Sequence, residues 1–416
     1  MSRASPRLEA ALKRFEGLYP ETIDLSLDRI LRVLDTLGRP QDRLPPVIHV
    51  AGTNGKGSTT AFLRAMAEAA GLRVHVATSP HLVRFNERIR LDGQLVEDAP
   101  LIAWLDRVHD AVDGGEITHF EATMAAAILA FSEVPADLLI LEVGLGGRFD
   151  ASNVVDQPAV SVITPIDYDH KAYLGSDLSR IAWEKAGIIK AGCPVVSAIQ
   201  GDVPAGVIAE EAFSLDAPLT VLRPKDMQAI RTPLALRGIH QIANAALAAK
   251  ALAVWGHPAI NDQAIETGGK TAVWPARFQR LSDGPVTQRV PGIAVWLDGG
   301  HNPHAARAVA AELGRGEGPF GLVAAMMAGK DAAGFFSAFR GLESQVFTCP
   351  NAEGHNGAPP DILAGAARQA GLEATACEDF GVALDRAAAS GARIILICGS
   401  LYLAGQVLEQ NAELPV

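Results

Sequence analysis

At 416 residues, 49% hydrophobic and 20% charged, the chain is long enough for two cores and has the make-up of an ordinary globular enzyme. Its formal net charge of -11 supplies no global basic field, which argues against a nucleic-acid partner while leaving room for small anions held by local amides and cations. No stretch approaches the roughly 20 apolar residues of a membrane span, and the charged opening MSRASPRLEAALKRFEG lacks the apolar core of a secretory signal, so no membrane partner and a cytoplasmic location are expected.

Short apolar runs alternate with longer helical patterns along the chain. Residues 47–50 (VIHV) read as a strand, followed by a glycine loop and a helix through TTAFLRAMAEAAG that Gly71 closes. Residues 73–78 form a second short run, and residues 123–131 are small, apolar and helical in pattern. Residues 137–143 (DLLILEV) and 159–164 are apolar throughout, as strands buried on both faces are. Residues 239–255 read as one long helix, and strands return at 293–297, 321–325 and 393–398. This βαβ alternation specifies parallel sheets in two α/β domains with a cleft between them. The boundary is expected near 267–277, where Gly268-Gly269 and Trp274-Pro275 break the pattern. Cys193, Cys349, Cys377 and Cys398 are widely spaced, form no CxxC pair and read as buried thiols.

The chemistry-bearing segment is Gly52-Thr53-Asn54-Gly55-Lys56-Gly57-Ser58, between a strand and a helix. Its three glycines let the backbone aim successive N–H groups at one anion, with the helix N-terminus adding positive potential. Lys56 is placed to reach the outer phosphates of a nucleotide, and Ser58 to bind magnesium through its hydroxyl. The spelling departs from the common P-loop, since position 50 is Val and Gly57 separates Lys56 from Ser58. Glu142 ends the DLLIL run; a carboxylate there is costly to bury unless it binds a metal or pairs, for example with Arg148. Asp167 to His170 (DYDH) follows the next strand at the same sheet edge, which favours a metal role for His170. Lys185, in IAWEKAGIIK, is undecided on spacing alone: a helix lysine paired with a neighbour in solvent fits equally well.

Those segments belong to a longer series: HVAGTNGKGST at 49–59, TSPHL at 78–82, RFNERI at 84–89, HFEATM at 119–124, LEVGLGGRFDASN at 141–153 and DHKAYLGSDLSRIAWEKAGIIKAGCPVV at 169–196. The second half adds HQIANAALA at 240–248, WPARF at 274–278, DGGHNPHA at 298–305 and CGSLYLAG at 398–405. Nearly end to end and in order, the chain resembles the folylpolyglutamate synthase/dihydrofolate synthase branch of the Mur-ligase superfamily; TSPHL with RFNERI carries the folate branch in particular. The resemblance implies a P-loop-type doubly wound ATP-binding domain over 1–270 and a smaller Rossmann-like glutamate-ligase domain over 271–416. Their junction is expected at about 267–297, with the active site in the cleft between them.

It also implies a reaction: ATP phosphorylates a carboxylate, and the amine of L-glutamate attacks the acyl phosphate. The acceptors are dihydropteroate and reduced folates, the cofactor is magnesium, and the protein is a monomer. By motif, Ser58, Ser79, Glu142 and His170 are magnesium ligands, and Lys185 is a carbamylated lysine that helps hold a second ion. Lys56, Glu142, His170 and Lys185 are then the catalytic set. Asn244, Arg277, Asp298 and His301 join Gly52 to Ser58 around the nucleotide, and Phe120, Asp150 and Ala151 form the dihydropteroate pocket. Ala276, where many relatives have Gly, and Gly300, where Ala is usual, read as harmless departures; those at 326–332 and 351–360 bear on glutamate handling. Two rivals are a cell-wall Mur ligase acting on a UDP-sugar peptide and a catalytically silent nucleotide-binding protein.

Overall fold

The computed structural model describes residues 5–18, 26–169, 175–352 and 356–415. The chain divides into a larger unit, running to Ala235 and resuming over Ile242–Val273, and a smaller one of Leu236–Gln241 and Trp274–Pro415.

In the larger unit eight strands form one sheet: β1 (Val47–Ala51), β2 (Val74–Ala77), β3 (Ile89–Leu91), β4 (Gln94–Leu95), β5 (Leu138–Glu142), β6 (Val160–Ile163), β7 (Val195–Ser197) and β8 (Leu219–Val221). Their order is β4-β3-β2-β5-β1-β6-β7-β8. β2, β5, β1, β6, β7 and β8 run parallel, while β3 and β4 extend the β2 edge antiparallel. β1, β2, β5 and β6 are buried at every residue, as their unbroken apolar runs require. The chain leaves β1 towards β2 and later fills the other side through β6, so the winding reverses about β1. Ligands bind at the carboxyl ends of strands at such a reversal. Val47, Leu139 and Leu141 share a core with Ile30, Leu101, Leu105 and Ile128 of the flanking helices.

The smaller unit carries β9 (Gln279–Arg280), β10 (Ala294–Leu297), β11 (Phe320–Ala324), β12 (Ser344–Thr348), β13 (Glu373–Ala376) and β14 (Ile394–Cys398). Their order is β13-β12-β11-β14-β10-β9, parallel except for β9. Phe320, Leu322, Phe335, Phe336 and Leu396 centre its core. All four cysteines are free and buried. Among the described residues no helix is long and apolar enough to cross a membrane.

Gly268-Gly269 does not break the chain. Both lie inside the helix Asp262–Thr271, which packs on the helix Lys56–Ala69 that follows β1. A Cβ on Gly268 would overlap the backbone N and Cα of Met66, so the glycine marks a close approach of two helices. Gly268→Ala is expected to destabilise the larger unit by about 2–3 kcal/mol, because rigid backbone must yield. Urea unfolding checks this, with the slope of the transition unchanged.

Candidate active site at the strand ends of the larger unit

β1 delivers the chain to Gly52, whose φ of 145° places it in the glycine-favouring half of backbone space. A side chain there would also overlap the hydroxyl of Thr164, just beyond β6. The amides of Thr53 and Asn54 both donate to the carbonyl of Pro165, at 3.0 and 3.2 Å. The Thr53 hydroxyl donates to the carbonyl of Asp167 at 2.9 Å and accepts the Asp167 amide at 3.1 Å. The loops after β1 and β6 are therefore stitched together. The Thr53 and Asn54 amides are thereby committed to Pro165, so the successive N–H groups expected to face an anion begin beyond Asn54. Gly55, with φ 89°, starts the helix without a side-chain cap. The first helical hydrogen bond runs from Thr59 N to Gly55 O at 2.8 Å, leaving the Lys56, Gly57 and Ser58 amides as the first-turn donors. Lys56 Nζ folds back to donate to Gly52 O at 3.1 Å, and Ser58 is buried. The Asn244 Oδ1 lies 2.6 Å from where a Cβ on Gly55 would stand, so Asn244 closes against the loop.

Glu142 ends β5 in register with Val50 of the adjacent β1, with only 5% of its surface exposed. Pairing with Arg148 does not explain its burial. Arg148 instead bonds Glu211 at 2.8 Å and lies 3.9 Å over the Trp183 ring. Two residues past Glu142, a Cβ on Gly144 would come within 2.6 Å of Phe120 Cζ and 3.2 Å of Ser79 Oγ. Ser79, Phe120 and the loop after β5 thus meet at the same sheet edge. Asp150 spends both oxygens on that loop: Oδ2 accepts the Gly144 and Leu145 amides at 3.1 and 2.8 Å, and Oδ1 accepts Ser152 N and Oγ at 3.0 and 2.6 Å. Ala151 is buried in the core, and Phe120 packs against its edge.

Lys185 lies in the last turn of the helix Leu178–Ala186 and is 5% exposed, which rules out the solvated-lysine alternative. Gly147 makes room for it: a Cβ there would stand 2.7 Å from Glu184 O and 3.1 Å from Lys185 Cα. Burial first, and then the charge of Lys56, push the Lys185 amine down to about 7, while Asp169, Asp150 and Glu184 pull the other way. Lys185 therefore feels the charges of Lys56, Asp169 and Asp150. His170 lies outside the described residues. Asp167, on its near side, uses its backbone on Thr53 and accepts the Tyr168 amide with Oδ1 at 2.7 Å.

In the smaller unit, Arg277 sits between Ala276 and Phe278, which have φ of 56° and 41°. Ala276 is thus no harmless replacement: a Cβ in left-handed backbone costs about 1–2 kcal/mol. The surroundings hold it, with Gly299 N donating to Ala276 O at 2.9 Å and Ala276 N to Gln279 Oε1 at 2.8 Å. Asp298 accepts the Phe278 amide at 2.8 Å and the Gly300 amide at 2.7 Å, and His301 Nδ1 donates to Gly299 O at 3.0 Å. Gly300 matters too, since a Cβ there would crowd Asp298 Oδ1 at 2.8 Å and Ala305 Cβ at 2.9 Å. His240, which the sequence did not single out, faces Asp298, Arg277, Glu312 and His304, and burial lowers its pKa. Arg277, Asp298 and His301 are brought together by one pair of loops; Asn244 belongs to the larger unit.

Residues 50–211 match the Mur ligase middle domain, and residues 277–401 match the Mur ligase glutamate ligase domain. The Escherichia coli dihydrofolate synthase/folylpolyglutamate synthase is 33% identical over 98% of this chain and 96% of its own. The chain belongs to the dihydrofolate synthase/folylpolyglutamate synthase family of Mur ligases. Escherichia coli FolC in complex with DHPP and ADP superposes with a TM-score of 0.85 at 32% identity, covering 98% of both chains. A bifunctional folylpolyglutamate synthase/dihydrofolate synthase with Mn, AMPPNP and L-glutamate bound gives 0.83 at 32% identity, again over 98% of both. Membership along nearly the whole chain places it in the folate branch of the Mur ligases, which sets the cell-wall reading aside.

The residues of this folate-branch member fit a divalent ion of the hard kind. Serine hydroxyls and one buried carboxylate are oxygen donors, which magnesium and manganese prefer. Among the described residues no group of three or more His, Cys, Asp or Glu side chains gathers into a metal site; the donors at this sheet edge are of mixed type.

Proposed function

We propose that this chain is an ATP-dependent amide ligase that joins L-glutamate to dihydropteroate, giving dihydrofolate, and to reduced folates, extending their glutamate tails. A carboxylate oxygen of the acceptor attacks the γ-phosphorus of ATP, and the bond to ADP breaks. The glutamate nitrogen then attacks the acyl carbon, the carbon–oxygen bond breaks, phosphate leaves and the nitrogen gives up its proton. Dividing the reaction this way replaces a poor leaving group with a good one.

The first-turn amides of Lys56, Gly57 and Ser58, with the Lys56 ammonium, receive the phosphates and neutralise charge as it shifts towards the leaving oxygen. Ser58, Ser79, Glu142 and His170 would hold magnesium, and Lys185, as a carbamate, would help to hold a second ion. The ion supplies charge neutralisation on the phosphate oxygens. Asn244 shapes the loop from beside Gly55, and by motif Arg277, Asp298 and His301 are nucleotide-binding residues. Phe120 offers a flat face to the pterin, alongside the loop that Asp150 folds and Ala151 anchors.

The observation that carries this reading is the meeting, at the ends of β1, β2 and β5, of a phosphate loop, a buried carboxylate and a buried lysine. The test is transfer of a heavy oxygen isotope. Dihydropteroate labelled in its carboxylate is expected to pass one labelled oxygen to the released phosphate. Unlabelled phosphate from productive turnover would exclude the acyl phosphate, and bound ATP with no turnover would leave the silent-binder reading.

A further inference from the structure

His49 and Ser152 belong to neither the phosphate loop nor the metal set, yet both are fully buried beside them. His49 lies in the middle of β1, three residues before Gly52, opposite Leu141 of β5. Its Nε2 is 2.9 Å from Ser152 Oγ, which is 2.6 Å from Asp150 Oδ1. A serine hydroxyl carries one proton, and an ionised carboxylate only accepts. The hydroxyl therefore donates to Asp150, and His49 donates from Nε2 to the hydroxyl. The imidazole is neutral with a bare Nδ1, which finds no hydrogen-bond partner among the described residues. Burial, and after it the charge of Lys190, keeps the ring uncharged down to about pH 3.

At the other end of this chain Asp150 gathers the Gly144 and Leu145 amides. Those amides open the loop two residues after Glu142, and the same loop lays Gly147 against the Lys185 backbone. A hydrogen-bond relay thus runs from the buried strand that presents the phosphate loop to the loop that follows Glu142 and packs on Lys185. In a low-dielectric interior such a chain is stiff, and losing one member strands its neighbours.

We propose that His49 and Ser152 are positioning residues, which act through Asp150 to hold the Glu142 and Lys185 segments in register with the phosphate loop. This rests on the ligase reading above. Glycine loops hold no fixed shape by themselves, and the relay supplies the constraint that the three glycines in VGLGGRF cannot be expected to give: Gly144, Gly146 and Gly147 fall within four residues.

The test pairs hydrogen exchange with kinetics in the full-length protein. In Ser152→Ala, exchange at the Gly144 and Leu145 amides is expected to rise at least about 10-fold, with β5 amides such as Leu139 and Ile140 unchanged. The turnover number is expected to fall about 100-fold, as a displacement near 1 Å would cause, while the KM for ATP stays within about 3-fold. His49→Leu should behave alike, His49→Gln should recover much of the rate because its amide can still donate to Ser152, and the double variant should be no worse than the worse single one. Unchanged exchange at Gly144 and Leu145 would overturn the relay. Raised local exchange with full turnover would overturn the positioning role, and so would a uniform rise along β1 and β5, which marks plain loss of stability. If wild-type protein itself shows no glutamate-dependent turnover, the ligase reading fails while the exchange result still decides the relay.

Discussion

Replacing Lys185 with methionine is expected to lower glutamate-dependent turnover by at least about 1,000-fold while ATP still binds, because the carbamate proposed for this side chain cannot form without the amine. Carbamylation needs an uncharged amine: the ammonium first gives up a proton, the nitrogen then attacks carbon dioxide and loses a second, and so a cation becomes an anion. An exposed lysine titrates near 10.4, so only about one in 2,500 is neutral at pH 7. Burial and Lys56 bring Lys185 to about 7, where near half is ready to react. The sign follows from that shift. As pH falls below about 7 the amine takes up its proton, carbamate is lost, and activity should fall with it and recover when bicarbonate is added. Intact-protein mass and bicarbonate-dependent rates check both points. Full activity in Lys185→Met would remove the lysine from the mechanism.

Lys56→Ala is expected to cost about 100- to 1,000-fold in kcat/KM, the usual loss when one charged donor is taken from a developing phosphate charge. Little stability should go with it, since the side chain's one hydrogen bond given by the structure is to Gly52 O. A second effect separates the two lysines. Lys56 helps to lower the Lys185 pKa, so its removal should raise that pKa, and the bicarbonate response of Lys56→Ala should move to higher pH. Steady-state rates across pH measure both. Wild-type kcat/KM in this variant would sink the phosphate assignment.

Much of this site could be read from the amino acids because its pieces are local. VIHV, DLLILEV and the run at 159–164 each announce a buried strand, and the residue types that follow them fall at the carboxyl edge by topology alone. Glu142 was legible as a carboxylate at a buried strand end. What escaped depends on residues far apart in sequence. The claim of the Pro165 carbonyl on Thr53 and Asn54 has no signature, since any residue offers a carbonyl. The burial of Lys185 was illegible because its helical spacing suits a solvated lysine equally well, and only Gly147, 38 positions upstream, shows how closely the chain packs there. Gly268-Gly269 misled for a related reason: glycine weakens an isolated helix but permits close packing, and only Met66 reveals which applies. Ala276 reads as harmless in the sequence, whereas its backbone angle, which the sequence does not show, decides its cost. Asp150 was placed by motif among substrate residues; its oxygens are taken by its own loop, which ties it to the site through Gly144 and Leu145.

The most direct measurement is phosphate release from ATP and magnesium, with and without L-glutamate, supplying dihydropteroate and tetrahydrofolate in separate reactions. Release that requires glutamate with each acceptor, together with a folate product heavier by one glutamate, is the expected result. Turnover with a single acceptor would reduce the activity to that one synthase. Binding of ATP with no glutamate-dependent release from either acceptor would contradict the assignment of this chain as a folate ligase.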